Sequence, residues 1–383
     1  MKQRTTAEWK QAGVELAPEV DHSKIAADAV IHAGCRIRGA DTAIGPGCVI
    51  GEEAPVTIDN CQLARRVKLK GGFFSGAVFF DGANMGSGAH VRAGTILEEE
   101  ANAAHTVGLK QTILLPFVTL GSLINFCDAL MAGGTSRKKH SEVGSSYIHF
   151  NYTPHQDKAT ASLLGDVVQG IFLDRNPIFL GGQGGLVGPA RIAYGSVIAA
   201  GGVCRQDVLD EGQLHIPAPP DSATRPYETG VYRNIDRIVK NNLLYIGNII
   251  ALRAWYRNVR TLFIRDVFDQ AVLDGGIKNL DLVLAERIKR LGELAGKMDH
   301  SIEWLETNGG KPAAIEEQKQ FRSAWPGIKE QLGAIDCPPP AAFIQRVQDL
   351  PNKDAYTAAI QSLDDRAAAR AWLQSIVDQA AQA

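Results

Sequence analysis

The chain has 383 residues, a formal net charge of −2 and 21% charged residues. That balance argues against nucleic acid or an anionic membrane surface as the main partner, and the length allows two or three domains with real cores. Six cysteines, at 35, 48, 61, 127, 204 and 337, form no C-x-x-C pair and follow no secretory pattern; they predict reduced thiols serving as core filler in a cytoplasmic protein with no targeting segment.

Residues 1–24 read as an N-terminal extension. From Ile25, apolar residues recur every six positions: Ile25, Ile31 and Ile37, then, after a one-residue slip, Ile44, Ile50 and Val56. The count continues through Val67, Phe73, Phe79, Met85, Val91, Leu97, Ala103, Leu109 and Leu115, and resumes at Leu180, Leu186, Ile192, Ile198 and Cys204. Small residues such as Gly86, Gly88, Ala93, Gly94, Gly195 and Gly201 lie between them. Neither a helical period nor simple strand alternation gives this pattern. A three-sided coil does: each hexad makes one flat side, its aliphatic residue points inward, and small residues take the corners. The expected fold is a left-handed parallel β-helix of hexapeptide repeats over 25–214, followed by an α-helical C-terminal domain. A β-sandwich is the competing architecture, but it should show turn signals rather than a count of six. The rhythm breaks at about 129–143 and 153–178, which read as loops projecting from the coil, where binding groups are usually carried.

Pro217, Pro219, Pro220 and Pro226 mark residues 215–226 as a linker. Residues 227–383 then carry helical patterning. Ile235, Val239, Tyr245, Ile246, Ile249, Leu252, Val259 and Phe263 form one stripe, with further amphipathic stretches at about 279–306, 312–333, 339–350 and 354–381. The apolar run from Leu243 to Leu252 is broken by Gly247 and Asn248 and is too short to span a bilayer. Trp255, Trp304, Trp325 and Trp372 are expected to fill the core of this domain rather than form a ligand cage.

Candidate chemistry lies in the coil. Lys110 follows Arg92 by eighteen residues, three hexads, so the two should lie one above the other on one side of the triangle. Two cations roughly 5 Å apart repel unless an anion lies between them, and a phosphate would satisfy both. Separate acidic neighbours such as Glu98, Glu99 and Glu100 are the competing explanation. The run from His149 to Lys158 gathers donors, acceptors and the imidazoles of His149 and His155, which suit a base near neutral pH. Arg137, Lys138, Lys139 and His140 make a basic loop tip, either solvated or in contact with a diphosphate. His149 and His155, six apart, would present one histidine per hexad to a metal, but no third ligand stands at coil spacing, so no metal is expected.

Several blocks resemble a known family. Gly-Ser-Ser-Tyr-Ile-His-Phe-Asn-Tyr (144–152) with Lys158, then Phe-Leu-Gly-Gly-Gln-Gly-Gly-Leu-Val-Gly-Pro (179–189), Val-Ile-Ala-Ala-Gly-Gly (197–202) and Arg-Gln-Asp-Val (205–208), are similar to the acetyltransferase domain of the bifunctional N-acetylglucosamine-1-phosphate uridyltransferase/glucosamine-1-phosphate acetyltransferase family. The likeness covers about 90–208. It implies a trimeric coil that moves acetyl from acetyl-CoA to an amino-sugar phosphate at a site between subunits. Carried over by position, it implies phosphate binding by Arg92 and Lys110. Asn151 and Tyr152 become sugar and CoA contacts, Asn125 and Lys158 sugar contacts, and Ser145, Gly182 and Ala200 the CoA side.

The departures are equally specific. The family's catalytic histidine falls on Ser122 and its nearby tyrosine on Asn125; an arginine it uses on CoA has no counterpart around 215–217. The 166–178 loop is longer, the helical domain lies outside the likeness, and no Gly-rich nucleotide loop precedes the coil, so a uridyltransferase activity finds no support. Three readings follow: an acyltransferase on an amino-sugar phosphate or nucleotide sugar, with another base such as His149 or His155; a non-catalytic trimeric scaffold that binds a sugar nucleotide; and a metal-dependent enzyme on the same coil. The expected partners are a small sugar phosphate or nucleotide sugar and two further copies of the chain, with no nucleic acid and no membrane.

Overall fold

A computed structural model describes residues 5–224, 226–351 and 353–383. Residues 15–215 wind into a parallel β-solenoid of about 11 turns, followed from Asp236 by a region of several helices. Every named strand pair is parallel. Three flat faces result. The first carries strands such as Arg36–Arg38, Gly72–Ser75, Ala89–Val91 and Ile148–Phe150. The second carries Gln62–Leu63, Val78–Phe79, Ile96–Leu97 and Ser162–Leu164. The third is a ten-stranded sheet from Val30–Ile31 to Leu214–His215. Two eight-residue strands, Val107–Leu114 and Ile124–Met131, bend from the first face onto the second. Their bends fall at Gln111 and Asp128, both at positive φ, in line with Gly76 and Gly94 at the same corner. An L-residue in that conformation is strained, so the corner holds either glycine or a side chain with compensating bonds.

The turn length is looser than six-by-three. Val78 faces Ile96 and His90 faces Gly108, eighteen residues on, but Gln62 faces Val78 after sixteen and Val107 faces Ile124 after seventeen. Inward and outward residues alternate along a strand, so one dropped residue exchanges them. The inward positions are therefore Phe74 and Leu114, not Phe73 and Leu115 as the hexad count has them. Phe73 points outward, 37% exposed, and stacks on His90.

The N-terminal segment also differs from expectation. Helix α1 (Thr6–Gln11) is closed by a capping box between Thr5 and Glu8 and buries Trp9. Glu15–Leu16 then pairs with Arg36–Ile37 and begins the solenoid ten residues before Ile25. The segment read as a loop at 129–143 opens with strand residues up to Met131, and the one read as 153–178 contains the strand Ser162–Leu164 and helix α2 (Val167–Gly170).

The C-terminal region contains α3 (Asp236–Asn258), α4 (Val267–Thr307), α5 (Pro312–Ala334), α6 (Ala341–Gln348), α7 (Tyr356–Gln361) and α8 (Ala367–Gln382). At 41 residues, α4 is about 60 Å long and lies along the edge of the coil. Its Lys278 meets Asp41, its Asn279 donates to Gly76 O and Thr95 O, and its Arg287 reaches Asp128. Helix α3 covers the second face beside it: Asn241 donates to Asp207, Asn248 accepts from Val167 N, and Tyr256 donates to Glu98 at 2.5 Å. The second face is consequently buried on both sides. Its outward column of Val78, Ile96, Ile113, Leu130 and Leu163 is as apolar as its inward column of Phe79, Leu97, Leu114, Met131 and Leu164. Each covered side chain contributes about 1.5–3 kcal/mol. Trp255 and Trp372 lie in the helical core, whereas Trp304 and Trp325 are half-buried.

Candidate functional site

The first face remains open. Val91 sits opposite Leu109, and Arg92 N donates to Leu109 O, so Arg92 and Lys110 follow one another on the outer surface a single turn apart, about 4.8 Å between strands. Lys110 faces Cys127 in the next turn. Arg92 is exposed and Lys110 half-buried. Among the described residues neither has a carboxylate partner. Glu98 and Glu99, the acidic neighbours suggested by the sequence, point the other way and hold the buried Arg260 at 2.9 and 2.8 Å. Burial pushes the Cys127 thiol up, assisted by Asp128 and opposed by Arg92 and Lys110. The thiol therefore stays protonated, and donates to Asn125 Oδ1 at 3.3 Å.

One residue past Lys110 and Cys127 lies the corner, where α4 docks. Arg287, only 1% exposed, donates to Gln111 Oε1 at 2.7 Å, to Asp128 Oδ1 at 3.0 Å and to the Lys158 carbonyl at 3.1 Å. The other oxygen of Asp128 accepts from the Asn151 side-chain amide at 2.6 Å. One guanidinium thus ties together the residue after Lys110, the residue after Cys127, and both ends of the 151–158 loop. The Asn151 side chain and the Lys158 backbone are thereby held at the corner next to Lys110 and Cys127, and Tyr152 stands exposed on the same loop.

The opposite corner of the same face carries the residues assigned to the CoA side. Backbone bonds from Thr106 to Ser87, Leu123 to His105, Ser146 to Ser122, Gln183 to Ser145 and Gly201 to Gly182 stack Ser87, His105, Ser122, Ser145, Gly182 and Ala200 in one column. Ser122 N donates to Ser145 Oγ at 3.0 Å. A side chain added at Gly121, Gly144 or Gly181 would meet the backbone of Ser145, Gly182 or Ala200, which keeps the corner narrow.

The two histidines proposed as bases are not at this site. His149 lies in the inward column between Phe126 and Leu186 and is sealed within the solenoid. Its Nδ1 is 2.5 Å from the Cys127 carbonyl, which can only accept, so Nδ1 carries the proton and Nε2 accepts from Ser162 Oγ at 2.7 Å. Burial lowers its pKa. It is a core histidine and cannot meet a substrate. The alternation explains the error: Ile148 and Phe150 take the outward places on that strand.

His155 lies on the far side of the 151–158 loop, in a cleft of about 650 Å³ lined also by Asp157, Pro189, Tyr227, Tyr232, Arg237 and Trp304. Its Nδ1 accepts from Gly230 N at 2.8 Å, its ring lies against Tyr227 and Tyr232, and burial lowers its pKa. The two imidazoles share no partner, and among the described residues no three His, Cys, Asp or Glu side chains gather as a metal site. The basic loop is structural where it touches the coil: Arg137 donates to Glu100 O, Phe117 O and Thr119 Oγ1, and Lys139 to Asn176.

Sequence reasoning missed His90, Gly108, Cys127, Asp128 and Arg287. The first two were reachable, since the eighteen-residue spacing that stacks Arg92 on Lys110 also stacks His90 on Gly108, whereas Cys127 faces Lys110 after a turn of seventeen. Arg287 carried no signal, because nothing in the chain says which helix residue meets which corner.

No helix among the described residues is long and apolar enough to cross a membrane. No family model matches the chain. It is similar to proteins named "Bifunctional protein GlmU": 29% identical over 229 residues to that of Trichlorobacter lovleyi, 30% over 230 residues to that of Pelobacter propionicus, and 28% over 186 residues to that of Thermotoga petrophila. These alignments cover 58%, 57% and 48% of this chain and 43%, 44% and 37% of the relatives. The chain thus spans less than half the length of the curated relatives it matches, and the likeness is consistent with their acetyltransferase β-helix part.

Proposed function

We propose that the chain is an acyltransferase of the β-helix type that moves acetyl from acetyl-CoA to an amino-sugar phosphate or nucleotide sugar, in or near UDP-N-acetylglucosamine metabolism. The observation that carries this reading is the Arg92/Lys110 pair, two cations a turn apart on an open face with no carboxylate between them. A phosphate dianion answers that arrangement. The column of Ser122, Ser145, Gly182 and Ala200 along the opposite edge supports an extended thioester lying along the corner. Likeness to the GlmU proteins supports an acyltransferase-like function in general.

The second reading, a sugar-nucleotide-binding scaffold without catalysis, is favoured by Ser122 at the position of the family's base and by His149 being locked in the core. We further propose a cytoplasmic homotrimer. The second face is closed by the chain's own helices, so contacts between copies fall to the first and third faces, where Ile148, Phe150, Phe179, Val197 and Leu214 are exposed. Sedimentation equilibrium should return three protomer masses; a single protomer mass contradicts the trimer.

Thermal shift with acetyl-CoA, UDP-N-acetylglucosamine and zinc in parallel separates the readings, because a ligand of the native state raises Tm by mass action. A rise with acetyl-CoA is expected. A rise with the nucleotide sugar alone favours the scaffold, and one with zinc alone favours a metal enzyme. Lys110→Ala should weaken glucosamine 1-phosphate binding at least tenfold and leave acetyl-CoA binding nearly intact. Equal loss of both would remove the clamp assignment.

A further inference from the structure

The open face around the cation pair is a grid of two outward columns. One runs Ser75, Arg92, Lys110, Cys127; the other runs Phe73, His90, Gly108, Asn125. Gly108 leaves a gap in the second column. A Cβ built there would meet nothing nearer than 3.9 Å, and the residue's φ is not in the left-handed region, so neither packing nor backbone conformation requires glycine. The gap is walled by His90 below, Asn125 above and Lys110 beside it, with Arg92 diagonally across. Residues two apart on a strand are about 7 Å apart and turns about 4.8 Å. A phosphate held between Arg92 and Lys110 therefore leaves the gap over Gly108 within reach of a ring attached to it, and His90 within reach of the substituent next to the phosphate-bearing carbon.

We propose that the notch over Gly108 is the acceptor pocket and that His90 is the base that takes the proton from the acceptor's amine nitrogen. This rests on the acyltransferase reading above. In the step, the neutral amine attacks the thioester carbonyl and the C–N bond forms. The amine proton passes to the free imidazole nitrogen of His90. The C–S bond then breaks, and the thiolate leaves with the proton returned by His90, so amide and thiol are the only products. The geometry suits this order. His90 lies in the column nearer to the corner that carries Ser122, Ser145, Gly182 and Ala200, so the reacting atoms meet between clamp and thioester. His90 is exposed, has no hydrogen-bond partner among the described residues, and rests its ring on Phe73 with centroids 5.2 Å apart. His105, the other imidazole near this face, sits on the corner itself with Nδ1 3.4 Å from Thr106 Oγ1.

Three full-length variants test the proposal: His90→Gln, His105→Gln and Gly108→Leu. Acetyl transfer to glucosamine 1-phosphate is followed by thiol release, and binding by calorimetry with inorganic phosphate and with glucosamine 1-phosphate. His90→Gln should lower kcat by 10² or more, as expected for loss of a general base, with KM changed less than about threefold. His105→Gln, on the corner assigned to the thioester, should act on the KM for acetyl-CoA and cost kcat far less than His90→Gln does. Gly108→Leu should keep inorganic phosphate binding and lose glucosamine 1-phosphate binding at least tenfold. A kcat for His90→Gln within threefold of the parent, or loss confined to His105→Gln, overturns the base. Unaltered sugar-phosphate binding in Gly108→Leu overturns the pocket. If the parent binds glucosamine 1-phosphate but transfers no acetyl group, the acyltransferase reading falls and takes the base with it. The calorimetry still decides whether the notch is the sugar's seat.

Discussion

Each outward side chain on a solenoid wall has a neighbour one turn above and one below, and its chemistry is set by that column more than by its own sequence neighbours. Arg92 and Lys110 are eighteen residues apart and lie in register one turn apart; His149 stands one residue from Ile148 and Phe150 and faces the opposite way. The same rule made the first pair legible in the sequence and hid the second. No slip falls between Arg92 and Lys110, so counting by six gives the right face. Long excursions fall either side of His149, with Asn125 opposite Ile148 and Ile148 opposite Gly185, so the count loses its parity there. His149 makes a prediction of its own. Its pKa is lowered in the fold relative to about 6.5 unfolded, so its neutral form contributes stability above pH 6.5 that is lost as pH falls from there toward the folded value. The stability gap between the parent chain and His149→Gln, measured by urea unfolding, should narrow as pH drops from 7 to 5. A gap that is constant or widens contradicts a neutral, buried imidazole.

At the level of elements, the second face decides how the molecule is built. Val78-Phe79, Ile96-Leu97, Ile113-Leu114, Leu130-Met131 and Leu163-Leu164 are doublets in which both the inward and the outward residue are apolar. The first and third faces alternate apolar with polar or exposed residues instead. A doublet repeating at turn spacing is a readable sign that a face is covered, and the hexad count passes over it because it looks only inward. What covers the face was not readable, since amphipathic stripes in 236–382 name no partner. Helix α4 is more than cover. Its Arg287 holds Gln111, Asp128 and the Lys158 carbonyl, and through Asp128 the Asn151 amide. Arg287 is therefore a positioning residue for the clamp's loop. Arg287→Met leaves the buried Asp128 carboxylate uncompensated and should destabilise the chain by about 3–5 kcal/mol. It should also weaken glucosamine 1-phosphate binding at temperatures where the variant is still folded, with Arg287→Lys restoring part of both. Lost stability with unaltered ligand binding would reduce Arg287 to a fastening between domains.

At the scale of the whole molecule, the helices close one side of a three-sided rod and fix the geometry of the next. The fastening is firm at both ends: Arg260 is buried between Glu98 and Glu99 with its guanidinium 3.8 Å from the Tyr356 ring centroid, and Asn241 and Arg237 meet Asp207 and the Pro189 carbonyl. The coil was legible because its period is a property of the chain. The docking was not, because it depends on shape met between residues 30 to 237 positions apart. Of the two faces the helices leave uncovered, one carries two adjacent cations and a glycine gap, and that face is the centre of the functional account. Tungstate is a phosphate-like dianion that scatters anomalously. In crystals of the full chain soaked with it, the strongest anomalous peak should lie between the Arg92 guanidinium and the Lys110 ammonium. A chain whose strongest peak lies instead in the cleft lined by Arg66, Arg265 and Lys353, with none between Arg92 and Lys110, would contradict the account.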